Sequence, residues 1–269
     1  MAKKKDNTPD STLSVEQKSM IGPHLNFAAS EAYKLLRTNL LFSFPAEEKC
    51  HVIGITSTFQ GEGKSLTSIN LAYTMAEANS RVLLIEGDMR IPNFSTRLNL
   101  KKTPGLSNLL AGLDSISDAI QRIAFRRSSA DPIKFDVITA GSIPPNPSEL
   151  MQSQRMRQLI DTLREFYDVI IIDLPPVTAV TDALVASNFV SGIAVVVRSD
   201  HAAKRGLSNT MRQLRLVNAK VIGFIYTNAD TAKKKYYKGY GKGYSKYYSK
   251  KGEYYYYDEY YQKNPRQND

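Results

Sequence analysis

Between Asn26 and Asp230 the chain alternates short apolar runs with longer stretches whose apolar residues recur every three or four positions. The short runs read as strands over residues 51–56, 81–86, 135–139, 168–173, 192–198 and 221–226. The longer ones read as amphipathic helices over 65–79, 147–166, 181–187 and 204–218. An earlier helix is expected over 30–42, with Ser30 or Asn26 as its cap, and short edge helices over 106–112 and 115–123. Strands that are apolar on both faces and alternate with helices predict an α/β fold. Its sheet should be mostly parallel and flanked by helices.

Composition changes this picture mainly at the two ends. Residues 1–25 are polar and aperiodic and predict a flexible arm; 26–230 form the folded domain. Residues 231–269 contain no Leu, Ile, Val, Met or Phe and cannot build a core, which predicts a disordered tail. That tail holds twelve of the sixteen tyrosines: Tyr236, Tyr237, Tyr240, Tyr244, Tyr247, Tyr248, Tyr254, Tyr255, Tyr256, Tyr257, Tyr260 and Tyr261. It also carries ten Lys or Arg against four acids, a local excess of +6 within a chain of formal charge +10. A single cysteine, Cys50, excludes a disulfide scaffold, and three scattered histidines have no ligand spacing. No run approaches the roughly 18 apolar residues of a membrane span. The charged start, MAKKKDNTPD, does not read as a signal peptide, so a cytoplasmic protein is expected.

The chemistry concentrates where strands end. After the first strand come Ser57, Thr58, Phe59, Gln60, Gly61, Glu62, Gly63, Lys64, Ser65 and Leu66, leading into a helix. Strand, Gly-rich loop and helix make a phosphate-binding loop, in which backbone N–H groups and the helix dipole face the phosphates. Lys64 would reach the β- and γ-phosphates and Ser65 would ligate Mg²⁺, although Thr58 replaces the first glycine of the strict pattern. The second strand ends in Glu86-Gly87-Asp88-Met89-Arg90, and another ends in Asp173-Leu174-Pro175-Pro176. Ligands bind at the carboxyl ends of strands in such sheets, so Glu86, Asp88 and Asp173 become candidates for metal and proton work. Asp182 fits a helix cap as well as a site residue, and Asn228 fits a base contact as well as a turn. Arg90 could steady phosphates or pair with a neighbour's acid, and Cys50 reads as inert core edge.

Together these segments resemble the bacterial tyrosine kinases, the BY-kinase family of capsular and extracellular polysaccharide production. The likeness rests on TSTFQGEGKS, VLLIEGDMR with the following Pro92, IIIDLPP and the tyrosine cluster, and runs from Glu31 through Asp230. Partition and division-site ATPases share the individual motifs but carry a second loop lysine where this chain has Phe59. Such an ATPase, with a Lys/Tyr tail on nucleic acid or membrane, is the alternative reading. The family usually has Pro at Gln60 and Asp at Glu86. Its Glu-x-x-Arg-x-x-Arg self-association motif stands here as Glu31, Lys34 and Arg37, and Lys34 loses the forked guanidinium.

The resemblance implies ATP- and Mg²⁺-dependent transfer of the γ-phosphoryl group to tyrosine. Residues 57–66 and Asn228 would hold nucleotide, Ser65, Glu86 and Asp173 the metal, and Asp88 the tyrosine hydroxyl. It further implies trans-phosphorylation of the tail, a ring-like homo-oligomer, a membrane-anchored activator of the polysaccharide copolymerase type that recruits the kinase to the inner membrane face, and a cognate tyrosine phosphatase.

Overall fold

A computed structural model describes residues 20–45, 47–126, 131–200 and 204–228. The chain divides into two units, Met1–Asn228 and Ala229–Asp269. The second unit, with the twelve tail tyrosines, lies outside the described residues, as does most of the expected arm.

Seven strands form one sheet: β1 (His51–Ser57), β2 (Val82–Glu86), β3 (Gln121–Phe125), β4 (Ile133–Ile138), β5 (Val169–Asp173), β6 (Gly192–Arg198) and β7 (Val221–Thr227). Their order is β3-β4-β2-β5-β1-β6-β7, and every pairing is parallel except β3 with β4. β2 and β5 are buried at all five positions, as expected of central strands covered on both faces. The helices are α1 (Phe27–Leu41), α2 (Lys64–Glu77), α3 (Phe94–Leu98), α4 (Leu106–Ala111), α5 (Ile116–Ala119), α6 (Pro147–Gln152), α7 (Gln154–Leu163), α8 (Asp182–Ala186) and α9 (Lys204–Leu216). Two apolar cores result. One packs Val52, Leu83, Ile170 and Ile172 against Met156, Ile160 and Leu214. The other packs Ile53, Leu84 and Ile171 against Leu40, Ile69 and Met75.

Three expectations need correction. Residues 115–123 were expected to form one helix, but α5 stops at Ala119 and Gln121–Phe125 is a strand. Its alternating half-burial places Ile123 and Phe125 inward, while Arg122 makes two hydrogen bonds to Asp136 across the pair, at 2.8 and 2.9 Å. Five mixed residues carry too short an alternation to overrule the helical pattern before them. The helix expected over 147–166 breaks at Ser153, whose extended backbone (ψ 155°) ends α6 and whose hydroxyl accepts from Met156 N at 3.2 Å to cap α7. The arm expected to reach residue 25 is packed from Ile21, which is buried. Asn70 fixes it there, accepting from Gly22 N and donating to Met20 O, both at 2.9 Å. Of the two candidate caps for α1, Asn26 is used, accepting from Ala29 N at 2.9 Å.

Candidate active site

β1, β5 and β2 lie side by side, so the segments that leave their carboxyl ends converge. The loop after β1 turns into α2 through Gly63, whose φ of +93° is left-handed and suits glycine. The first residues of α2, Lys64 and Ser65, are both buried and face the ends of the neighbouring strands. Lys64 Nζ lies 3.0 Å from Asp88 Oδ2 and 3.5 Å from Asp173 Oδ2. Ser65 Oγ donates to Asp173 Oδ2 at 2.7 Å, and Ser68 Oγ to Asp173 Oδ1 at 3.1 Å. Gly87 N donates to Asp173 O at 2.8 Å, which draws the segment carrying Asp88 over the end of β5.

Charge is balanced tightly here. Burial opposes the Lys64 ammonium, but Asp173 and Asp88 outweigh it and the net pKa direction is upward. Burial pushes the Asp173 carboxyl above the usual carboxylate range, while Lys64, Ser65 and Ser68 pull it back. The resulting arrangement is one cation between two carboxylates, with a hydroxyl at a helix N-terminus. An incoming polyphosphate would give Lys64 new partners, and Ser65 with the two carboxylates offers oxygen donors of the kind Mg²⁺ prefers. The residues present fit both groups.

Glu86 does something other than expected. Its Oε1 accepts from the backbone N–H groups of Asn93 and Phe94, the latter at 2.7 Å, and its Oε2 from Ala140 N at 3.0 Å. Both oxygens are committed to backbone, so Glu86 braces the segment after β2 instead of facing a metal. Burial raises its pKa and the three N–H groups partly offset that rise. The residue it positions, Asn93, reaches the site itself: its Nδ2 donates to Ser65 Oγ at 3.3 Å.

Other candidates separate clearly. Asp182 does not cap α8; it is fully buried, accepts from Ser148 Oγ at 2.5 Å and lies 3.6 Å from Arg90 Nε. Arg90 also donates to Ser148 Oγ at 2.8 Å, so its acid is within its own chain. The Phe59 ring packs against α9 at Gly206, where an added Cβ would fall 2.5 Å from Cζ. Leu66, on α2, is partly buried against the core. Gln60 and Gly61 are exposed at the loop's tip, and Glu62 is buried with Oε2 accepting from Phe59 N at 2.8 Å. Asn228 accepts from Ser199 through its carbonyl and hydrogen-bonds Asp200 through its side chain, two contacts at the end of β6. Glu31 and Lys34 pair with each other at 2.8 Å, and Arg37 donates to Thr74 O at 2.8 Å, fastening α1 to α2. Sequence reasoning missed Ser68, Asn93 and Ser148. Ser68 sits one helical turn after Lys64, and that spacing could have found it.

Comparison with known proteins agrees with this geometry. The AAA domain family matches residues 50–225. The chain is 34% identical over 208 residues to tyrosine-protein kinase YwqD of Bacillus subtilis, covering 77% of this chain and 84% of that one. It is 32% identical over 229 residues to tyrosine-protein kinase CpsD of Streptococcus pneumoniae, covering 84% and 94%. The solved kinase domain of the Escherichia coli tyrosine kinase ETK superposes with a TM-score of 0.69 at 34% identity, covering 79% of this chain and 80% of that one. Phosphate loop, paired strand-end carboxylates and these relatives converge on one assignment: the chain belongs to the bacterial tyrosine-kinase family of P-loop enzymes.

Proposed function

We propose that this kinase uses ATP with Mg²⁺ to phosphorylate the tyrosine cluster of a neighbouring copy, and that this modification regulates capsular or extracellular polysaccharide synthesis and export. The observation that carries the reading is the Lys64 ammonium set between Asp88 and Asp173 at the mouth of a phosphate loop. The twelve tyrosines of residues 231–269 are the acceptor the sequence offers.

The residues divide the work. The loop N–H groups and Lys64 bind and orient the triphosphate, spreading the charge that develops on the transferred group. Ser65 and Asp173 would hold Mg²⁺, which when bound neutralises phosphate charge. Asn93 and Glu86 keep the wall beside Ser65 in place. Once Lys64 turns to phosphate, Asp88 is released to accept the tyrosine proton. The tyrosine oxygen forms its bond to the γ-phosphorus as the bond from that phosphorus to the bridging oxygen breaks, and ADP departs. A phenol of pKa near 10 yields its proton to a carboxylate late in such a transfer. In this reading a membrane-anchored activator of the polysaccharide copolymerase type brings the kinase to the inner membrane face, and a tyrosine phosphatase resets it.

Mass spectrometry after incubation with Mg·ATP, with and without a cytoplasmic activator fragment, tests the proposal. Phosphotyrosine should accumulate within residues 236–261, and Lys64→Met should abolish it while the protein stays folded. Near-normal autophosphorylation by that variant would sink the assignment.

A further inference from the structure

A loop that presents its N–H groups to an anion must turn its carbonyls outward, and each outward carbonyl in a buried setting needs a donor. In this chain the carbonyls of Ser57, Thr58, Phe59 and Glu62 each have one. Ser57 O accepts from Val177 N at 2.9 Å, and Phe59 O from Ser57 Oγ at 2.7 Å. Thr58 O accepts from Thr178 Oγ1, and Glu62 O from Thr227 Oγ1 at 2.7 Å. Two of these donors are threonine hydroxyls from elements distant in sequence, 120 and 165 residues away. Thr178 lies in the segment after Asp173, itself anchored where Thr56 Oγ1 donates to Pro175 O at 2.7 Å. Thr227 closes β7, and its methyl carbon lies 3.4 Å from where a Cβ on Gly63 would stand.

We propose that Thr178 and Thr227 are positioning residues for nucleotide binding. Their hydroxyls hold the Thr58 and Glu62 carbonyls outward, and so hold toward the phosphates the intervening N–H groups other than that of Phe59, which donates to Glu62 Oε2. The inference rests on the reading of this loop as the nucleotide site. It differs from a packing role in that the hydroxyl, and not the side-chain volume, carries the effect. Neither residue touches the reacting atoms.

The experiment is calorimetric titration with ADP of the full chain and of Thr178→Val, Thr227→Val, Thr178→Ser and Thr227→Ser. All are measured at a temperature where circular dichroism shows each fully folded. Losing one neutral hydrogen bond predicts about 3- to 10-fold weaker binding for each valine variant. The serine variants, which keep the hydroxyl, should bind nearly as the parent does. Parental affinity in the valine variants would overturn the inference, as would serine variants as weak as valine. Should one valine variant fail to fold, the serine comparison and the other site still decide. Absence of ADP binding by the unaltered chain would overturn the nucleotide reading itself, and this inference with it.

Discussion

Glu86 shows a strand-end carboxylate given over to the backbone. Both of its oxygens lie among backbone N–H groups, so its contribution is to the geometry of Asn93 and Phe94. Glu86→Gln should therefore cost about 1–3 kcal/mol of stability, because an amide nitrogen cannot accept from Ala140 N. The Mg²⁺ requirement should change little. Urea unfolding beside a Mg²⁺ titration of nucleotide binding checks both, and an unchanged stability with a large metal shift would contradict the assignment. Cys50 is a second case at this scale. It is buried, and burial pushes its thiol up to about 11 from the ordinary 9.0. The unfolded thiol then titrates first, so this group's contribution to stability is intact below pH 9 and is lost as pH rises from there toward 11. Alkylation at pH 8 should be slow for the folded protein and fast in denaturant, as read by intact mass.

At the level of elements, the parallel core strands were legible because a doubly covered strand is apolar at every position. β3 was not, because an edge strand of five residues alternates too briefly to outweigh the helical pattern before it. The phosphate loop and Asp173 were equally plain, their residue types being dictated by phosphate chemistry. Thr178, Thr227 and Ser148 were not, because a hydroxyl that serves a carbonyl or carboxylate distant in sequence leaves no local signature. Asp182 was visible as a residue but ambiguous in role until Arg90 and Ser148 met it. The packing of Phe59 on α9 gives a test of element coupling. Gly206→Ala should push the Phe59 ring aside and cost no more than about 1 kcal/mol. Adding Phe59→Ala should recover part of that loss, and denaturant unfolding of the two single variants and the double variant measures the coupling. Strictly additive losses would mean that ring and helix are not in contact.

Across the whole chain the dominant quantity is charge. Full phosphorylation of twelve tyrosines would add roughly −18 to −24 to a segment that carries +6. If subunits associate through α1, where Glu31 and Lys34 are each 40% exposed, the reversal should disperse an oligomer that forms in the unphosphorylated state. Light scattering on matched samples, one treated with a tyrosine phosphatase, should give the larger mass for the treated sample. That mass should fall as salt screens charges beyond ~8–10 Å. Equal masses in both states would exclude such a switch while leaving the kinase assignment intact.

The order of the sheet also bears on how the protein is made. Ser65 must meet Asp173 across 108 residues of sequence, and Glu62 must meet Thr227 across 165. Contacts this distant close late and make folding slow. A chain emerging from the ribosome would have its phosphate loop from the first strand onward, yet could not brace it until the seventh had appeared. A nascent chain would thus have a braced phosphate loop only after β7 had left the ribosome.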